Sequence, residues 1–299
     1  MQVPRRPTHL SVCTSRRFRC AGFVILLSLA GCIPQGRDQA VWLASQGFRL
    51  IDQGSYVLAD MLLESALAAD STYREAWYYR GLSLADQQNL EEADSCFSRA
   101  IALSPVYTDI YVCADIYCAR GRVSSQLGNY ASALADFDEV IRLQPTLAKG
   151  YEGRAVVNEE LGNIRGASSD LECVISITGG RSQDCHWRGL LRLQEGDTNS
   201  AFVDFNRAIA LNPENSDAFS DRACLRYQRK DFAGALADCD SALMIVSDHY
   251  AASYTRALAL DMLGLSNEAA EAYRRFLDLG SETDPAVPQV RRRLKELGA

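Results

Sequence analysis

Few residues in this chain have the type and spacing for chemistry. It holds ten cysteines and three histidines in 299 residues. His9 lies near the amino terminus, so only His186 and His249 serve the rest, too few for a histidine-based metal cluster or a supported Ser-His-Asp arrangement. Asp184, Cys185 and His186 are consecutive. A nucleophile and its base must converge in space, however, and no third group is placed to orient this histidine. No phosphate-binding loop, HExxH or G-x-S-x-G occurs. After Cys32 come Cys96, Cys113, Cys118, Cys173, Cys185, Cys224 and Cys239, none in C-x-x-C spacing. Cys113 and Cys118 point apart on a helix, which argues against zinc or thioredoxin-like chemistry. A Cys173–Cys185 bridge is geometrically possible, and Cys239 reads as a small core hydrophobe. The expectation is a protein without catalytic residues, metal site or cofactor.

The composition, 47% hydrophobic and 23% charged residues, is that of an ordinary globular chain. Formal charge is −7, and all five charged residues before position 33 are arginines (Arg5, Arg6, Arg16, Arg17, Arg19). Cleavage there would leave 26 basic against 38 acidic groups, a net −12. Such a chain repels phosphate backbones, so no nucleic-acid partner is expected.

The arginines are followed by the apolar run Ala21 to Leu29 and then by Leu29-Ala30-Gly31-Cys32. Nine apolar residues are about half of the roughly 20 that a helix needs to span a bilayer, so residues 1–31 read as a signal peptide. Basic region, short apolar core and LAGC in that order resemble the signal of bacterial lipoproteins. The resemblance implies cleavage before Cys32, acylation of its sulfur, and anchoring of the mature protein in a membrane of the cell envelope through its acyl chains. Residues 32–39 would be a tether. Ile33, Pro34 and Gln35 follow the cysteine with no aspartate next to it, the pattern of lipoproteins sent on to an outer membrane where there is one.

From residue 40 onward the chain repeats itself. Segments start at 40, 74, 114, 148, 182, 216 and 250; six spans are 34 residues and one is 40. The eighth position is always small: Gly47, Gly81, Gly121, Ala155, Gly189, Ala223, Ala257. The twentieth is always alanine: Ala59, Ala93, Ala133, Ala167, Ala201, Ala235, Ala269. The twenty-fourth and twenty-seventh are apolar, which continues one helical stripe. Position 15 is Gly54, Gly128, Gly162, Gly196 or Gly264 in five segments, suited to the left-handed residue that ends a helix. Pro105, Pro145 and Pro213 fall between segments, where a helix must stop. Each segment is therefore predicted to form a helix of about thirteen residues, a tight turn and an antiparallel partner helix, the alanine at position 20 facing the small residue at position 8.

These spacings resemble the tetratricopeptide repeat, and Trp77, Gly81, Ala93, Phe97, Ala100 and Pro105 match its motif most fully. The resemblance implies an all-α solenoid of seven repeats: 40–73, 74–107, 114–147, 148–181, 182–215, 216–249 and 250–283. Six residues, 108–113, are inserted after the second, and a capping helix at 284–299 carries the stripe Val290, Leu294, Leu297. The departures are Cys185 and Ser253 in place of a bulky residue at position 4, and Gln88 and Lys230 in place of the turn glycine. Position 7 is arginine in repeats two to seven (Arg80, Arg120, Arg154, Arg188, Arg222, Arg256), and position 23 is aspartate in repeats three to six (Asp136, Asp170, Asp204, Asp238). Each arginine is expected to pair with an aspartate on a neighbouring helix and so order the stack.

The resemblance also implies a partner-binding wall on the first helices, at positions 2, 5, 9 and 12. This places Tyr78, Cys118, Arg122, Lys149, Glu152, Glu159, His186, Tyr227 and Tyr254 there, with the tyrosines as exposed anchors. Glu152, Glu159 and Glu160 would favour a basic or polar partner segment. The Lys and Asn pairs of repeats that bind chaperone tails are missing. In the insertion, Thr108 is placed to cap a helix from Asp109 and to expose Ile110, Tyr111 or Val112, a second candidate contact. The function expected is a membrane-anchored scaffold binding proteins or peptide segments of the cell envelope, with no small-molecule substrate; the alternative is a regulatory or substrate-binding subunit of an envelope enzyme.

Enlarging the buried alanine tests the predicted crossing. Ala201→Leu should destabilise the protein by about 1–3 kcal/mol through overpacking, seen as a lowered melting temperature.

Overall fold

The computed structural model describes residues 36–104, 110–280 and 283–298. Residues 1–31, expected as a signal peptide, and Cys32, Pro105, Thr108 and Asp109 lie outside them. The described residues form fifteen helices in two compact units that divide at the insertion.

The first unit holds α1 (Arg37–Asp52), α2 (Tyr56–Ala69), α3 (Arg74–Asp86) and α4 (Leu90–Ala102). The second opens with α5 (Ile110–Gln126), α6 (Tyr130–Leu143), α7 (Ala148–Glu160) and α8 (Ile164–Thr178). It continues through α9 (Ser182–Gln194), α10 (Thr198–Leu211), α11 (Ser216–Gln228) and α12 (Phe232–Ile245). It ends with α13 (Tyr250–Met262), α14 (Ser266–Leu279) and α15 (Val287–Glu296). The first fourteen helices are seven helix-turn-helix repeats, and five of the seven first helices have the expected 13 residues. The exceptions are α1, which begins three residues ahead of the period, and α5, in which 110–113 add one turn. In that added turn Tyr111 is 71% exposed and Ile110 51%, while Val112 is half-buried.

Turn chemistry closes each pair. The five glycines at position 15 have φ between 70° and 82°. Gln88 and Lys230 adopt the same left-handed backbone at 65° and 63°, against the preference of an L-residue. One position on, Asn163, Asp197 and Asp231 accept the N–H three residues ahead and cap the second helix.

The small residue at position 8 meets a different neighbour from the one predicted. All seven position-20 alanines are fully buried, but the space over the glycine is filled chiefly by the position-24 side chain. A Cβ on Gly81 or Gly189 would stand 2.5 Å from a ring carbon of Phe97 or Phe205. Phenylalanine at position 24 occurs only with glycine at position 8, which leaves room for its ring at the crossing.

Five of the six arginines bind an aspartate of a neighbouring helix as expected, some of them bonding twice, while Arg80 binds a glutamate. Arg120, Arg188 and Arg222 hold Asp136, Asp204 and Asp238 of their own second helix in forked hydrogen bonds of 2.6–3.0 Å. Arg154 holds Asp170 and also reaches back to Asp138 of the preceding second helix. Arg222 likewise reaches back to Asn206, and Arg80 and Arg256 to Glu64 and Asp240. Asp204 is the most enclosed carboxylate, 1% exposed, and takes a second guanidinium from Arg192. In the second repeat Cys96 stands where repeats three to six have aspartate, and the Arg80 Nε is buried without a hydrogen-bond partner. At the far end Val287, Val290 and Leu294 cover the last pair, and Arg293 ties α15 to Asp261 of α13 at 2.7 and 2.8 Å.

The seven cysteines from Cys96 on are free thiols. Cys185 packs against Ile175, Ala208 and Ala218 in the core, which turns its sulfur inward and leaves the Cys173–Cys185 bridge unformed. Cys239 is fully buried, and burial pushes its thiol up to about 12.

Two substitutions test the ladder. Asp204→Ala strands two guanidiniums and should cost about 3–5 kcal/mol in chemical denaturation. Cys96→Asp supplies the missing carboxylate to Arg80 and should raise the melting temperature of the full chain; a fall would show that desolvation outweighs the new bonds.

Candidate functional site

Within the second unit, α5, α7 and α9 lie in succession and a groove of about 660 Å³ crosses them. Cys118, Arg122 and Ser125 come from α5; Lys149, Glu152, Gly153 and Val156 from α7; Gln183, Asp184 and Trp187 from α9. Four of these, Cys118, Arg122, Lys149 and Glu152, belong to the predicted wall. Ser125, Val156 and Gln183 occupy the same positions 12, 9 and 2 and were open to the same rule.

The floor is apolar because of one missing side chain. Gly153 stands at position 6 of its repeat, and a Cβ there would collide with the Phe137 ring. With no side chain in the way, the Phe137 ring of the preceding repeat packs beneath Gly153, where it is buried and backs the groove. Trp187 forms one wall; its Nε1 donates to Glu159 Oε2 at 2.8 Å, which fixes the ring and leaves its faces for apolar contact. Val156, 44% exposed, is the aliphatic counterpart.

The electrostatics differ from expectation. Glu152 does not stand as a free acid: Arg181, from the linker before α9, donates to Glu152 Oε1 at 2.6 Å and forks onto Asp184 at 2.7 and 2.8 Å. Glu159 is occupied by the indole, so of the three predicted acids only Glu160 is exposed. Arg122 and Lys149 are both exposed and form no ion pair among the described residues. Cys118 sits between these charges, but burial dominates and raises its pKa, which keeps it a thiol.

The remaining predicted residues are elsewhere. His186 Nε2 shares a 2.6 Å hydrogen bond with Asp221 Oδ2 of α11 and its ring lies against Phe205, so it joins two repeats. It does not face Cys185, whose thiol is buried and raised in pKa by that burial. The tyrosines expected to be exposed are half-buried against neighbouring rings: Tyr227 on Phe232 at 5.4 Å, Tyr254 on Phe276 at 4.8 Å, and Tyr78, in the first unit, near Tyr79 and Phe97. Tyr111 is exposed and lies outside the groove lining. Among the described residues no three His, Cys, Asp or Glu side chains gather as metal ligands would, and no helix is long and apolar enough to cross a membrane.

Residues 74–105 and 114–147 match a family model described as tetratricopeptide repeat, and 185–215 match a second model of the same description. This is a tetratricopeptide repeat protein. Solved structures of other tetratricopeptide repeat proteins share its fold. The C-terminal part of one from Cytophaga hutchinsonii aligns with a TM-score of 0.70 at 13% identity, covering 82% of this chain and 98% of its own. One from Parabacteroides merdae gives 0.57 at 18% identity, covering 87% and 99%. YrrB, described as a tetratricopeptide repeat protein with an unusual peptide-binding site, gives 0.55 at 18%, covering 66% and 98%. No curated protein matches the sequence. Tetratricopeptide repeats are protein-interaction modules.

Proposed function

We propose that the protein is a membrane-anchored scaffold of the bacterial cell envelope, which holds segments of other envelope proteins in the groove across α5, α7 and α9. The observation that carries the binding half is the groove itself: apolar contact at the exposed Val156 and half-buried Trp187, backed by the buried Phe137, with two cations at its edge that form no ion pair among the described residues. A binding site needs this combination of apolar contact and a few oriented polar groups. The anchoring half rests on the order of basic region, nine-residue apolar core and LAGC ending at Cys32. The scaffold works without catalysis of its own. Its cysteine next to histidine, Cys185, is a buried thiol, and the histidine is engaged by Asp221.

Both halves can be tested in native membranes with a photo-crosslinking residue placed at Val156 or, as control, at Val203 on the exposed face of α10. Discrete adducts should form from position 156 and not from 203. Cys32→Ser should move the protein out of the membrane fraction. Equal crosslinking from both positions would remove the groove from the function, and a Cys32→Ser protein still in the membrane would remove the lipid anchor.

A further inference from the structure

We propose that the occupant of the groove is an extended peptide segment carrying a carboxylate side chain close to an aliphatic one. The inference rests on reading the groove as a peptide site and adds its chemistry. Charge comes first. Two carboxylates and three cations line the groove, and Arg181 is spent on both carboxylates, Glu152 and Asp184. Arg122 and Lys149 remain exposed with no ion pair among the described residues, so the unspent charge is positive. The protein as a whole is at −7, which makes this a local positive spot on an acidic molecule. Long-range steering therefore disfavours an acidic domain, while a short acidic segment gains from direct contact with the two cations.

Shape supplies the rest. Where Gly153 lacks a side chain, with Val156 exposed and Trp187 half-buried alongside, the groove has a notch for one aliphatic or small aromatic side chain, backed by the buried Phe137 ring. The amide of Gln183 at the edge can pair with a peptide backbone. Three successive helices at about 8–10 Å between axes set a path of roughly 16–20 Å. At about 3.3 Å per extended residue that path holds about five or six residues. Alternating side chains of an extended segment would place the carboxylate toward Arg122 and Lys149 and its neighbour but one over the notch.

The test offers the full-length protein in detergent a random hexapeptide bead library, N-acetylated and C-terminally amidated. Retained sequences should be at least threefold richer in Asp and Glu than the input. A retained peptide should bind at least tenfold more weakly to Arg122→Glu/Lys149→Glu protein of unchanged melting temperature, and recover when its acids are exchanged for lysine. Enrichment of Lys or Arg that disappears in Trp187→Ala would keep the groove as a peptide site and overturn the acidic occupant. Binding seen only with a free-acid library, without side-chain acids, would move the recognised carboxylate to a chain terminus and also overturn it. Retention of no peptide, or equal retention by Trp187→Ala/Val156→Asp protein, would overturn the peptide site itself.

Discussion

The architecture depends on a guanidinium held by two successive repeats. An arginine at position 7 of a first helix forks onto the aspartate of its own second helix and, in Arg154 and Arg222, also bonds the second helix before it. The fork fixes the angle within a repeat, and the backward bond fixes the step from one repeat to the next. Apolar packing alone would leave both softer, since it is strong but weakly directional. Buried and forked, these pairs differ from surface ion pairs, which contribute little.

Most of the fold was legible because each repeat contacts mainly its neighbours, so a residue's environment recurs with the period. Small position 8, alanine at 20 and arginine at 7 announce their roles by recurrence. What recurrence could not show is how a particular pair of side chains meets. Glycine at position 8 lies under the position-24 side chain rather than simply against the alanine, Leu63 over Gly47 and the Phe97 ring over Gly81. The added turn of α5 was foreseen in kind because insertion length is countable.

The groove was legible in position and misread in charge. The positional rule for first helices found Cys118, Arg122, Lys149 and Glu152. It did not find Arg181, which belongs to a linker, and without Arg181 the acids look free. Nor could it show that Phe137 of one repeat packs beneath Gly153 of the next, which needs a small residue in one place and a large one in the other. The tyrosines failed for a related reason: Tyr254 and Tyr227 find aromatic partners 22 and 5 residues away, and the contact hides half of each ring.

The ladder is also uneven. Arg188, Arg192 and Asp204 make its most enclosed link, whereas Arg80 and Arg256 have no aspartate at position 23 of their own second helix. In a stack whose stability is nearly a sum over neighbours, amide hydrogens around α9 and α10 would exchange last and those around the singly tied repeats first. Opening would then run as fraying inward toward that link, with the α9 wall of the groove among the last parts of its unit to come undone.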